Sequence, residues 1–182
     1  MQATKQLKAT LVLEDGKRFE GTAFGASKAV CGEVVFNTAM MGYVENLQDP
    51  VNRGQIIVCT YPLIGNYGVP SESVMTDEQI ALFDTHHINA AALIVSDLSE
   101  CYSHWSAVES LEMSREDVPG ICGIDTRALT QYLRDHGTMK GQIVIGDAAV
   151  QPFTMNHENL VAAVSHKETK TFAPVGDANG KK

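Results

Sequence analysis

Four cysteines, one adjacent histidine pair and three neighbouring carboxylate pairs are the side chains here whose types could do chemistry. Cys122, within Gly120-Ile-Cys-Gly-Ile-Asp125, comes nearest to a nucleophile elbow. An elbow needs G-x-[SC]-x-G, because small residues must flank a strained strand-to-helix turn. Here the second glycine falls one position early and the apolar run continues through Ile124, so Cys122 reads as a buried strand thiol. Cys59, inside Ile56–Tyr61, reads the same way, and Cys31 and Cys101 stand apart from both. No two cysteines have zinc-knuckle or CxxC spacing, so scattered reduced thiols are expected and no metal site. His86 and His87 are adjacent, whereas metal-binding pairs on a helix lie three or four apart and neighbours point away from each other. They read as surface or helix-end histidines. Glu14-Asp15, Asp77-Glu78 and Glu116-Asp117 stand beside turns or helix starts, where acids cap or are solvated. A general acid would need an apolar setting that none of them has. Neither a P-loop nor a dinucleotide fingerprint occurs. The residues therefore offer no complete catalytic constellation, and no catalytic residue is assigned.

The elements that would position a site are more legible. Residues 7–25 read as a β-hairpin: Ala9, Leu11 and Leu13 alternate with Lys8 and Thr10, and Asp15-Gly16 supplies the turn. A third strand spans 30–38, and a short helical turn after Tyr43 ends at Asp49-Pro50, since the residue before a proline is pushed out of the helical region. Residues 55–61 form a further strand. Pro62, Gly65, Asn66, Gly68 and Pro70 then crowd into one loop. Beyond it, 76–83 reads as a weak helix capped by Thr76, and 90–95 and 118–124 as strands. The strongest helix is 125–136, with Asp125 as its cap, Leu129, Tyr132 and Leu133 on one face and Gly137 as its stop. Arg127 falls in its first turn, where the helix dipole disfavours a cation; it is either simply solvent-exposed or held by a specific partner such as a carboxylate within the domain. A last strand covers 142–145. The fold class is α/β, with a strongly twisted β-structure at the N-terminal end.

At 182 residues the chain fits one domain with a tail, and it is long enough to bury its own core. Its formal net charge of −8 argues against nucleic acid and anionic membranes as partners, because both demand a basic face. No run of ~18 apolar residues exists and the N-terminus lacks a signal-peptide core, so a cytoplasmic protein is expected. After residue 150 the composition turns polar. One modest amphipathic segment (Leu160, Val161, Val164) precedes Gly176-Asp-Ala-Asn-Gly-Lys-Lys.

Several motifs are specific. Gly32-Glu-Val-Val-Phe-Asn-Thr-Ala-Met-Met-Gly-Tyr43 is followed by Asp49-Pro50, Arg53-Gly54-Gln55 and Thr60-Tyr-Pro-Leu-Ile-Gly-Asn-Tyr-Gly68. Pro119-Gly-Ile-Cys-Gly-Ile-Asp-Thr-Arg-Ala-Leu-Thr130 comes later. In order and spacing this series resembles the N-terminal domain of the small, glutamine-hydrolysing subunit of carbamoyl phosphate synthetase, over about residues 7–147.

The resemblance implies a swivelling β/β/α domain over 1–150 and a linker over 151–182 leading to a glutamine amidotransferase domain that is absent here. It implies two partners, that amidotransferase domain and the large synthetase subunit. It also implies no cofactor in this chain, since ATP and the divalent metal act in the large subunit. The implied function is part of a ligase that takes ammonia from glutamine for carbamoyl phosphate, and hence for pyrimidine and arginine biosynthesis. The chain alone is expected to be inactive. Where the family has a serine of the glutamine pocket, this sequence has Val51, whose side chain can neither donate nor accept; a contact there must use backbone or Asn52. Ala39 and Met40 are the candidates for lining the ammonia passage. Met41, Leu63 and Ile64 are the candidates for an exposed interface. Two alternatives stand beside this reading: a free-standing partner- or small-molecule-binding module, and an autonomous thiol hydrolase using one cysteine with His86 or His87.

Overall fold

The computed structural model describes residues 7–70, 87–104, 107–111, 113, 117–146, 159–165 and 167–169. Its centre is a closed sheet of seven strands in the order β1-β11-β3-β4-β7-β10-β2. These are β1 (Lys8–Leu13), β2 (Arg18–Gly25), β3 (Val30–Asn37), β4 (Gln55–Cys59), β7 (Ala92–Ile94), β10 (Pro119–Cys122) and β11 (Met139–Ile145). Among the described residues, four two- or three-residue strands lie outside the barrel. β5 (Leu63–Ile64) pairs with β8 (Asp97–Leu98), and β6 (Val69–Pro70) with β9 (Ala107–Glu109).

The hairpin β1–β2 forms around the Asp15-Gly16 turn, with Gly16 at φ 88°, a left-handed conformation that a glycine adopts without cost. Closure comes from β2 pairing antiparallel with β10, and there two glycines are required by space. A Cβ on Gly21 would lie 2.3 Å from the Cys122 carbonyl oxygen, and the Phe24 ring lies directly over Gly120. β3, β4, β7 and β10 run parallel to one another, and the connection from β3 to β4 crosses over the outside of the barrel.

Parallel strands are buried on both faces, and the sequence of β4 shows it. Ile56 and Val58 point inward with Leu11, Leu13, Ile94, Ile121 and Ile143, while Ile57 and Cys59 point outward with Leu93 and Val95. The helix α2 (Thr126–His136) adds Leu129 and Leu133, one turn apart, to the inner core. Its start follows the expectation: Asp125 Oδ1 accepts from the Ala128 N–H at 2.9 Å, and Gly137 terminates it. Thr130 and Thr60 share a 2.6 Å hydroxyl hydrogen bond that ties the helix to the end of β4. The outer core is covered by α1 (Tyr43–Gln48), which buries Tyr43, Val44 and Leu47 against β4 and β7. Asp49 then ends α1 and caps the 3-10 turn Pro50–Asn52.

The molecule is thus a mixed α/β domain built on a closed sheet with few helices among the described residues, and the N-terminal strands belong to that barrel. The expected helix over 76–83 lies outside the described residues. Arg127 is exposed, and no carboxylate among the described residues pairs with it. It projects from the solvent side of α2, opposite the face that Leu129 and Leu133 bury.

Candidate functional site

Two short loops meet at the C-terminal ends of β3 and β4, and most of the residues singled out in the sequence lie on them. The first runs from Asn37 to Tyr43. Asn37 Oδ1 accepts from the Ala39 N–H at 2.8 Å, which anchors its beginning. Its end is anchored by the second loop: the Tyr67 hydroxyl accepts from the N–H groups of Gly42 (2.7 Å) and Tyr43 (3.0 Å). Tyr43 returns the contact by donating its own hydroxyl to the Gly68 carbonyl at 2.8 Å. The two rings stack at 4.2 Å between centroids, inclined by 27°. Burial pushes both phenols above their ordinary range, so both stay neutral at any physiological pH.

Between the anchors, Ala39, Met40 and Met41 are exposed, the methionines at 66% and 75%. The two methionines border an open groove of ≈ 480 Å³ whose other walls include Val44, Glu45, Tyr61 and Tyr67. Leu63 is half-buried beside the same loops. Ile64 is a correction. It is 2% exposed, because its pairing with Leu98 turns the side chain into the outer core, and it has no side-chain surface to offer a partner.

Val51 lies apart from this groove's walls, on the 3-10 turn, with 79% of its surface exposed. Its N–H is taken by Asp49 Oδ1 at 2.9 Å. Asn52 is engaged too, its Nδ2 donating to the carbonyl and side-chain oxygens of Asn46 at 2.7 and 2.9 Å. The turn is thereby fastened to α1, and the Val51 amide and the Asn52 side-chain amide already have partners.

A second depression of ≈ 300 Å³ opens near the opposite end of β4, lined by Lys28, Cys31, Arg53, Asn89, Asp117 and Leu160. Lys28 and Asp117 form an ion pair across it. Leu160, on the short helix α3 (Leu160–Val164), reaches over Gly54 at its edge.

None of the cysteines whose ionisation departs from the ordinary is activated. Desolvation raises Cys31 and Cys122, and pushes Cys59 up to about 11. An attacking thiol needs the opposite shift. His86 lies outside the described residues, and His87 is exposed. Among the described residues no three His, Cys, Asp or Glu side chains come together to hold a metal. No described helix is long and apolar enough to cross a membrane.

Sequence reasoning missed the role of Tyr67. The visible signal was a tyrosine between Asn66 and Gly68 in a rigid loop, but nothing in its spacing linked it to Gly42.

The family described as carbamoyl-phosphate synthase small chain, CPSase domain, matches residues 11–143. An arginine-specific small chain of carbamoyl phosphate synthase from Saccharomyces cerevisiae is 46% identical over 165 residues, covering 88% of this chain and 40% of the relative. Its counterpart from Chaetomium globosum is 49% identical over 147 residues, covering 80% and 32%. The multifunctional protein CAD of Squalus acanthias is 45% identical over 174 residues, covering 93% of this chain and 8% of its own length. The chain thus spans less than half the length of each of these relatives. Both the match over most of the barrel and the identities place the chain in the carbamoyl-phosphate synthase small-chain family, within its CPSase domain.

Proposed function

We propose that this chain is the non-catalytic interface domain of a glutamine-dependent carbamoyl phosphate synthase. In this reading residues 1–150 form a swivelling domain that packs on the large synthetase subunit, and 151–182 lead towards a glutamine amidotransferase domain. Ammonia released there passes Ala39 and Met40 on its way to the large subunit. That subunit, with ATP and a divalent metal, converts it with bicarbonate to carbamoyl phosphate for pyrimidine and arginine synthesis in the cytoplasm.

The observation that carries the reading is the family match over residues 11–143 in a chain that spans 40% of its yeast relative. Two features support it. The loop bearing Met40 and Met41 is anchored at both ends yet leaves both methionines bare, as a preformed docking surface would. The perturbed thiols are shifted away from reactivity, which speaks against an autonomous thiol hydrolase. Val51 supplies no side-chain hydrogen bond to glutamine, so the pocket is completed by other residues.

Purified chain incubated with glutamine is expected to release no glutamate above a blank, and to co-elute with the large subunit when the two are mixed. Glutamate release resistant to further purification would overturn the non-catalytic reading, and failure to co-elute would overturn the interface.

A further inference from the structure

We infer that Tyr67 is the positioning residue that sets where Met40 and Met41 stand at the groove, and through them the transfer of glutamine nitrogen. The inference rests on the reading that Met40 lines the ammonia passage.

The argument begins with a helix that cannot start itself. Helix α1 has six residues, too few to be stable without tertiary contacts. Its N-cap is Gly42, at φ 85°, and no side chain from its own sequence caps it. The first N–H groups of a helix need acceptors from outside the helical ladder. Here one atom, the Tyr67 hydroxyl oxygen, serves both Gly42 and Tyr43 from 24–25 residues away. The Tyr43 hydroxyl bond to Gly68 and the ring stack lock the same two loops from the other side. With Asn37 fixing Ala39, the two methionines are left as a two-residue bridge between fixed points.

Gly42 itself is required by conformation and not by space, since a Cβ there would meet nothing closer than Glu45 Oε2 at 3.8 Å. The αL turn at Gly42 directs the chain from the exposed methionines into the buried Tyr43, and the Tyr67 hydroxyl holds that turn. Removing one oxygen, with the ring kept, therefore frees the bridge while leaving the core packing in place.

Two measurements test this. In the 182-residue chain, Tyr67→Phe is expected to speed amide hydrogen exchange at Gly42 and Tyr43 by about tenfold. The β4 amides of Ile56–Val58 should keep their protection. Tyr43→Phe, which leaves the Tyr67 oxygen in place, should change the Gly42 and Tyr43 amides much less. In the assembled synthase, Tyr67→Phe should lower the carbamoyl phosphate formed per glutamate released several-fold. A purely structural defect scales both rates together and leaves that ratio alone. Unchanged Gly42 and Tyr43 exchange, or lost protection in β4 as well, would overturn the inference. So would an unchanged ratio for Tyr67→Phe when Met40→Trp, which blocks the passage by bulk, lowers it. If Met40→Trp also leaves the ratio unchanged, the passage reading itself fails, and the inference with it.

Discussion

At Cys59, burial decides both what a thiol can do and how the protein responds to alkali. The side chain is 4% exposed on the outer face of β4, and its pKa rises from 9.0 to about 11 because a thiolate there would be stripped of water. Between these values the unfolded chain has released the proton while the folded chain retains it. The folded state then binds more protons, so stability falls as pH rises through this window and is intact below it. The two-decade gap corresponds to about 2–3 kcal/mol once the pH exceeds both values. Tyr43 and Tyr67, also raised by burial, extend the loss to higher pH. The urea midpoint is therefore expected to hold level to about pH 8.5 and to drop towards pH 11. Cys59→Ala should make the first part of that drop shallower, the remainder coming from Cys31 and Cys122, whose thiols burial also raises. A midpoint independent of pH up to 11 would contradict the assignment.

At the scale of elements, α2 carries its own instructions and α1 does not. Asp125 satisfies the Ala128 N–H, so Asp125→Ala is expected to cost about 1 kcal/mol of stability by chemical denaturation. Arg127→Ala, two residues on, removes an exposed side chain and should change stability by less than about 0.5 kcal/mol. An equal loss from both would mean that the cap is not what holds the helix start. The same contrast explains what was legible in the sequence. Cap, apolar face and stop all lie within residues 125–137, so the helix could be read locally, as could the β1–β2 hairpin around Asp15-Gly16. Barrel closure could not, because it depends on β2 meeting β10 about a hundred residues later, through glycines whose need is seen only when the strands touch. Ile64 was misjudged for a related reason. Its Gly- and Pro-rich neighbours suggest an exposed loop, whereas its inward direction is set by Leu98, far along the chain. Tyr67 belongs with these cases, its partners being backbone N–H groups that no residue-type pattern reveals.

On the scale of the whole molecule, the described apolar residues form two cores, one inside the barrel and one outside β4 and β7, and two adjacent methionines are still left in water. Neither Met40 nor Met41 belongs to either core, so stability does not account for them, whereas a covering partner would. Their thioethers make the idea measurable, because hydrogen peroxide transfers an oxygen atom to sulfur, giving the sulfoxide and water, at a rate that follows access. In the isolated chain Met40 and Met41 are expected to oxidise well ahead of Met113 at 1% exposure and Met139 at 7%. In the assembled synthase Met41 should become protected several-fold, while the order of Met113 and Met139 stays unchanged. Met40 should be protected less if it faces a water-filled passage, since peroxide is small enough to enter where ammonia moves. Peptide mass mapping after a short peroxide pulse reads all four positions in one experiment. Equal oxidation of Met41 in the free and the assembled chain would mean that this face stays open to solvent, and the groove would then lose its claim to be an interface.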